Sequence, residues 1–194
     1  NYGKPVLGVI DQCILKERWK GTLQKTTFNG LPCLTDDCTS LNEAMVYATT
    51  PEMFAPGLET RAWNYLSSRC KRALYGCDCY AYALVASGFG ADLVVEADLG
   101  LYDYCALVPV VEGAGGKMTD WAGQTLSLRN HQLSRGRVVA AGSSDLHAQA
   151  LKVLGAPDAP AAPKEHVLPI GVVVAAGAAI SAGGAALLSK IRYK

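Results

Sequence analysis

The stretch from Tyr75 to Gly116, YGCDCYAYALVASGFGADLVVEADLGLYDYCALVPVVEGAGG, constrains the fold more than any other part of the chain. Its pattern is helix, strand, helix, with acidic residues at the seams. Cys79 to Ala86 is an apolar, alanine-rich run preceded by Asp78 in the N-cap position, where a carboxylate meets the free N–H groups of a first turn. Leu93 to Val95 reads as a short strand that ends at Glu96. A second helix is expected to begin near Asp103 and run through Val111, with Gly113, Gly115 and Gly116 ending it. Asp78, Glu96 and Asp103 therefore stand at element ends. A carboxylate at a helix start is held ionised by the dipole and by backbone donors, which suits a hard cation or a cationic substrate group. Capping is the plainer reading of any one of them taken alone.

The flanking sequence reads as alternating strands and helices. Pro5 to Ile10 and Ile14 to Gly21 form an antiparallel hairpin around Asp11-Gln12-Cys13, with Lys16, Glu17, Arg18 and Lys20 on its solvated face. Short strands follow to Leu34, broken by the tight-turn dipeptide Asn29-Gly30. Asp36-Asp37 invites a metal reading as paired carboxylates, but it lies in a Thr/Ser/Asp-rich loop placed to cap a helix from Leu41. Ala44 to Thr49 is a strand, and Leu58, Ala62, Leu66 and Cys70 carry the apolar spacing of a helix over 59–72. Arg69, Lys71 and Arg72 form a basic cluster just before Asp78, placed to attract an anionic substrate without contacting it. Lys117 to Trp121 and Val138 to Ala141 are strands, and Ser143-Ser144-Asp145 caps a closing helix to Leu154.

Composition excludes some classes of function. Eighteen basic against seventeen acidic residues give a net charge of +1, which argues against a nucleic-acid polymer as partner. Seven cysteines are an odd number, and Cys77 and Cys79 stand too close to pair; a reduced, intracellular thiol set is expected. Cys77-x-Cys79 has no second His or Cys pair at ligand spacing, so the sequence gives no zinc site. Residues 156–168 form a Pro/Ala-rich linker. The tail, 169–194, holds a run of nineteen uncharged residues before Lys190, Arg192 and Lys194. An apolar helix acting as a membrane anchor is one reading of that tail, and an unstructured apolar extension is the other. At the other end the chain opens into a strand without a leader, and sequence preceding it is expected.

The central stretch resembles the C-terminal half of the inositol-monophosphatase superfamily, whose second signature pairs an aromatic residue with aspartate ahead of a short helix and Glu-Ala-Gly-Gly. Here the matching residues are Tyr102-Asp103, then Ala106 to Val111, then Glu112 to Gly116. The resemblance is more specific to the histidinol-phosphate phosphatases of that superfamily, through GCDCYAYALVASG, DLVVEA, YDYCALVPVVEGAGG and TDWAG, and it covers roughly residues 2 to 155. It implies a layered α-β-α-β-α sandwich with residues 1–155 as its second half, and magnesium-dependent hydrolysis of a small phosphorylated amino alcohol. Asp103 is implied as the catalytic, Mg2+-ligating aspartate, with Asp78 and Glu96 as substrate-binding residues. Acids at both positions suit the ammonium and imidazole of histidinol phosphate better than a neutral polyol. Analogy with relatives adds a homodimer, and a chloroplast for a plant or algal source or cytoplasm otherwise.

The superfamily's first signature, Asp-Pro-Ile-Asp-Gly-Thr with an upstream Glu, supplies most of the metal ligands and has no match here. With one metal-ligating acid, the isolated chain is expected to hold its metals weakly and to turn over little or no substrate. Three readings stay open: a histidinol-phosphate phosphatase, an inositol phosphatase or other small phosphomonoesterase, and a catalytically dead, membrane-tethered interaction module.

Overall fold

Period-two alternation over residues 7–33 builds the first of two sheets. The computed structural model describes residues 2–129 and 131–155. In it β1 (Leu7–Gln12), β2 (Glu17–Thr22), β3 (Thr26–Phe28) and β4 (Leu31–Cys33) form an antiparallel sheet in sequential order. The first pair is registered from Leu7 opposite Thr22 to Gln12 opposite Glu17. Gly8, Ile10, Trp19 and Gly21 turn inward, while Leu7, Val9, Asp11, Arg18 and Lys20 are exposed. Asn29 and Gly30 both take positive φ, the geometry a tight hairpin turn requires. The first hairpin turns at Cys13–Lys16, two residues later than expected, because positive φ at Lys16 closes it. Glu17 is not on the solvated face: its Oε2 accepts the Tyr80 hydroxyl at 2.6 Å.

The second sheet is mixed. It contains β5 (Met45–Ala48), β6 (Arg72–Tyr75), β7 (Leu93–Glu96), β8 (Lys117–Thr119) and β9 (Val138–Ala141), in the spatial order β6-β5-β7-β9-β8. β5 runs parallel to β6 and β7, and β9 runs antiparallel to β7 and β8. Both faces are covered. Val94, Val138 and Ala140 point into a core shared with α2 (Cys79–Ser87), α4 (Leu107–Gly113) and the four-stranded sheet. Leu93, Val95, Val139 and Ala141 point into a second core against α1 (Leu58–Arg69) and α6 (Ser144–Leu154). Burial on both sides explains why these strands are continuous apolar runs. The described layers are thus sheet, helices, sheet, helices, an α/β sandwich of the kind expected. The outermost helical layer of a five-layered sandwich is not among the described residues.

Backbone-to-backbone packing fixes α4. A Cβ on Gly8 would overlap the carbonyl oxygen of Ala106, and one on Gly21 would overlap the backbone of Val110. Only glycine lets the helix lie this close to β1 and β2. The short α3 (Leu101–Tyr104) leads directly into this fixed helix and carries Asp103.

Some expectations need correction. No helix starts at Leu41; residues 41–43 make a turn, and Asp36 accepts the Cys38 N–H at 2.9 Å within the loop. The helix expected from Asp103 to Val111 is two, α3 and α4, broken at Cys105–Ala106. β6 departs from expectation: its first residue, Arg72, falls in the stretch expected as the end of α1, and residues 73–75 carry no strand signal. The cap at Ser143 is as expected, its hydroxyl accepting the Leu146 N–H at 3.2 Å. All seven cysteines are unpaired. Among the described residues no helix is long and apolar enough to cross a membrane. The linker at 156–168 and the tail at 169–194, with the apolar helix read there, lie outside the described residues.

Candidate active site

Because β5, β6 and β7 are parallel, their C-terminal ends share one edge of the mixed sheet. The chain leaves that edge as Thr49-Thr50, Gly76-Cys77-Asp78 and Ala97 to Gly100. The carboxyl edge of parallel strands is where α/β sheets place ligands, since the loops there converge above the strand ends.

Glu96 is the last residue of β7 and is only 2% exposed. A buried carboxylate must find donors, and this one has three. Oε1 accepts the Thr49 N–H at 2.9 Å and the Thr49 hydroxyl at 2.6 Å. Oε2 accepts the hydroxyl of Tyr82, a residue of α2, at 2.6 Å. The Thr49 carbonyl in turn accepts the Gly76 N–H at 3.0 Å. One residue at the end of β5 thereby ties Glu96 to the loop that carries Asp78.

Asp78 occupies the N-cap position of α2, but its side chain makes no capping hydrogen bond. The expected role as a cap is therefore wrong. Its backbone sits at φ 49° and ψ −139°, a region that L-residues avoid, and its carboxylate is exposed. Its charge acts on its neighbours instead. Burial first and then the charge of Asp78 push the Cys79 thiol up, against a backbone hydrogen bond that lowers it, with Glu96 adding a lesser push.

Asp103 lies in α3 and is half-buried. Its Oδ2 accepts the Gly100 N–H at 2.7 Å, and its own N–H donates to the Gly100 carbonyl at 3.1 Å. This reciprocal closure holds the turn between β7 and α3. The next residue, Tyr104, is buried and places its hydroxyl 3.1 Å from Nδ1 of His131, in α5 (His131–Ser134). α3 is thus pinned on both sides of the aspartate.

Tyr82 bonds Glu96 and lies within electrostatic reach of Asp78 and Asp103. Burial, the charge of Glu96 with the hydrogen bond to it, and then the charges of Asp78 and Asp103 hold its phenol well above the ordinary tyrosine range. The phenol is therefore a fixed donor. Among the described residues no three His, Cys, Asp or Glu side chains form a group that could hold a metal ion. Asp103 offers one carboxylate, which is not an oxygen cage for magnesium. Arg69, Lys71 and Arg72 do not join the site: Arg72 starts β6, roughly 10 Å of strand before the edge that carries Asp78. Sequence reasoning missed Thr49 and Tyr82. The available signal was a tyrosine in an otherwise apolar helix, since a buried hydroxyl needs a partner.

The family model described as the inositol monophosphatase family matches residues 1–156. Over 156 residues the chain is 49% identical to the bifunctional phosphatase IMPL2, chloroplastic, of Arabidopsis thaliana, covering 78% of this chain and 44% of that protein. The chain thus spans less than half the length of this curated relative. Among solved structures, an inositol monophosphatase from Zymomonas mobilis superposes with a TM-score of 0.73 at 41% identity, over 79% of this chain and 59% of that one. The inositol monophosphatase of Anabaena (Nostoc) gives a TM-score of 0.69 at 23% identity, over 82% and 61%, a likeness of fold.

Proposed function

Since the chain belongs to the inositol monophosphatase family, we propose that it acts in phosphomonoester hydrolysis with histidinol phosphate as substrate, Asp78 and Glu96 receiving the cationic amino alcohol. The observation that carries this reading is the buried Glu96 carboxylate at the end of β7, held by Thr49 and Tyr82 at the same parallel-strand edge that carries Asp78. A site with this much negative charge favours an ammonium or imidazolium over a neutral polyol. Asp78 supports it further, because an exposed carboxylate that caps nothing is free to face a ligand. In this reading residues 1–155 are the phosphatase domain, followed by the linker at 156–168 and the tail at 169–194. The chloroplastic relative supports a chloroplast location for a plant or algal source.

Magnesium is the metal this chemistry calls for: it polarises the phosphate and acidifies the attacking water when bound. The described residues do not by themselves make its site. Asp103 supplies one carboxylate, and one of its oxygens already accepts the Gly100 N–H. What these residues supply is positioning. Asp103 is held by the Gly100 turn and Glu96 by Thr49 and Tyr82, while Asp78 is held through its backbone alone, its carbonyl accepting the Ala81 N–H.

A second reading, inositol monophosphate or another small phosphomonoester, draws support from the 41% identity to an inositol monophosphatase. One assay addresses both. Phosphate release from histidinol phosphate and from inositol monophosphate is measured with and without magnesium, with Asp103→Asn as control. Magnesium-dependent release from histidinol phosphate that is lost in Asp103→Asn supports the reading. Preference for inositol monophosphate moves it to the second. Release that survives Asp103→Asn removes that aspartate from the mechanism, and release from neither substrate fits a chain with one metal-ligating acid, whether a fragment or a catalytically dead homologue.

A further inference from the structure

Resting on the histidinol phosphate reading, we propose that Tyr82 and Thr49 are positioning residues that leave a single acceptor position, on Glu96 Oε2, for the substrate's ammonium group. Each carboxylate oxygen accepts two hydrogen bonds. Oε1 is filled by the N–H and the hydroxyl of Thr49. Oε2 holds one bond, from Tyr82, and keeps one lone pair.

The two positioning residues cannot easily move. Tyr82 is 1% exposed and packs between the two sheets with Ala81, Ala83 and Val85. Its phenol stays protonated across the working range, so it always donates and never competes for the substrate's proton. Thr49 is held at both ends of its peptide unit, through Glu96 and through the Gly76 N–H. A carboxylate turned by even one donor would present the wrong edge. Held as it is, Glu96 keeps one acceptor position on Oε2, and in this proposal a primary ammonium, with three donors, meets that position and Asp78 together.

The test is isothermal titration of the 194-residue chain with histidinol, and with the same imidazole alcohol lacking the amino group. Tyr82→Phe keeps the ring and removes only the hydroxyl. It is expected to weaken histidinol binding about tenfold, the worth of one charge-assisted hydrogen bond, and to leave the analogue unchanged. Thr49→Val is expected to behave likewise and Thr49→Ser to bind as the parent does. This pair carries the test if Tyr82→Phe does not fold. Equal loss of both ligands in Tyr82→Phe would mark a merely structural role and overturn the proposal, as would unchanged histidinol binding. A parent chain that binds no histidinol overturns the substrate reading and the proposal together, whereas binding that ignores both substitutions overturns the positioning role alone.

Discussion

Tyr82 donates its hydroxyl proton to Oε2 of Glu96 at 2.6 Å, between two side chains almost wholly removed from water. A hydrogen bond to a buried charge is worth more than one at the surface, because the charge left behind has no solvent to turn to. Tyr82→Phe is therefore expected to lower stability by about 2 kcal/mol. Glu96→Gln is expected to cost at least as much, since the amide NH2 would face donors with a donor of its own. Urea denaturation followed by circular dichroism measures both. A Tyr82→Phe midpoint equal to that of the parent would show that the bond contributes nothing.

A buried histidine sets the acid limit of the fold. His147 is 2% exposed, with Nε2 2.9 Å from the Thr119 hydroxyl, and burial assisted by the charge of Lys117 pushes its pKa down to about 4. Between that value and the ordinary 6.5 the unfolded chain binds a proton that the native state refuses. Stability is complete above pH 6.5 and falls as the pH drops toward 4, by roughly 3 kcal/mol from this residue. Asp92 works in the opposite direction: burial raises its carboxyl, so protonation on acidification favours the native state there. Urea midpoints at pH 7.5 and pH 5 should show a net loss. His147→Gln is expected to flatten the dependence, and an unaltered slope in that variant would assign the loss elsewhere.

The glycines under α4 give a sharper contrast. Gly8→Ala places a methyl group against the Ala106 carbonyl, backbone against backbone, with no side chain able to yield. The expected cost is about 3 kcal/mol or more. Gly30→Ala meets nothing within 4 Å and pays only for a φ of 87°, about 1 to 2 kcal/mol. Melting curves of the two variants, measured side by side, check the order. Equal losses would mean that α4 can slide away from the sheet.

These cases show how far the sequence could be read. The first hairpins were legible because strand alternation and Asn29-Gly30 are local signals, and the cap at Ser143 likewise. β6 was not, because it is an edge strand with half-exposed residues and no alternation, and its partner β5 lies far back in the chain. The places of Asp78, Glu96 and Asp103 at element ends were legible because helix starts and strand ends leave local signals. The donors that hold Glu96 were not. Tyr82 lies 14 residues away and Thr49 lies 47 away, separations that only the folded sheet closes. The conformation of Asp78 was equally hidden, since an aspartate before a helix reads as a cap whether or not its side chain caps.

That conformation sets stability against recognition at one position. Asp78 holds a φ of 49° with ψ of −139°, where a Cβ is strained, and receives no capping hydrogen bond in return. A residue kept in such a state without local benefit is a candidate for function. Asp78→Gly removes the Cβ and is expected to raise stability by about 1 kcal/mol, while weakening histidinol binding through the loss of a carboxylate. Asp78→Asn separates the two effects: it keeps the strain and removes the charge, so its stability should match the parent while its histidinol affinity falls. Urea midpoints and titration with histidinol on both variants give the answer. If Asp78→Gly is no more stable than the parent, the strain is absent in solution; if Asp78→Asn binds histidinol undiminished, the charge at this position is not what the ligand meets.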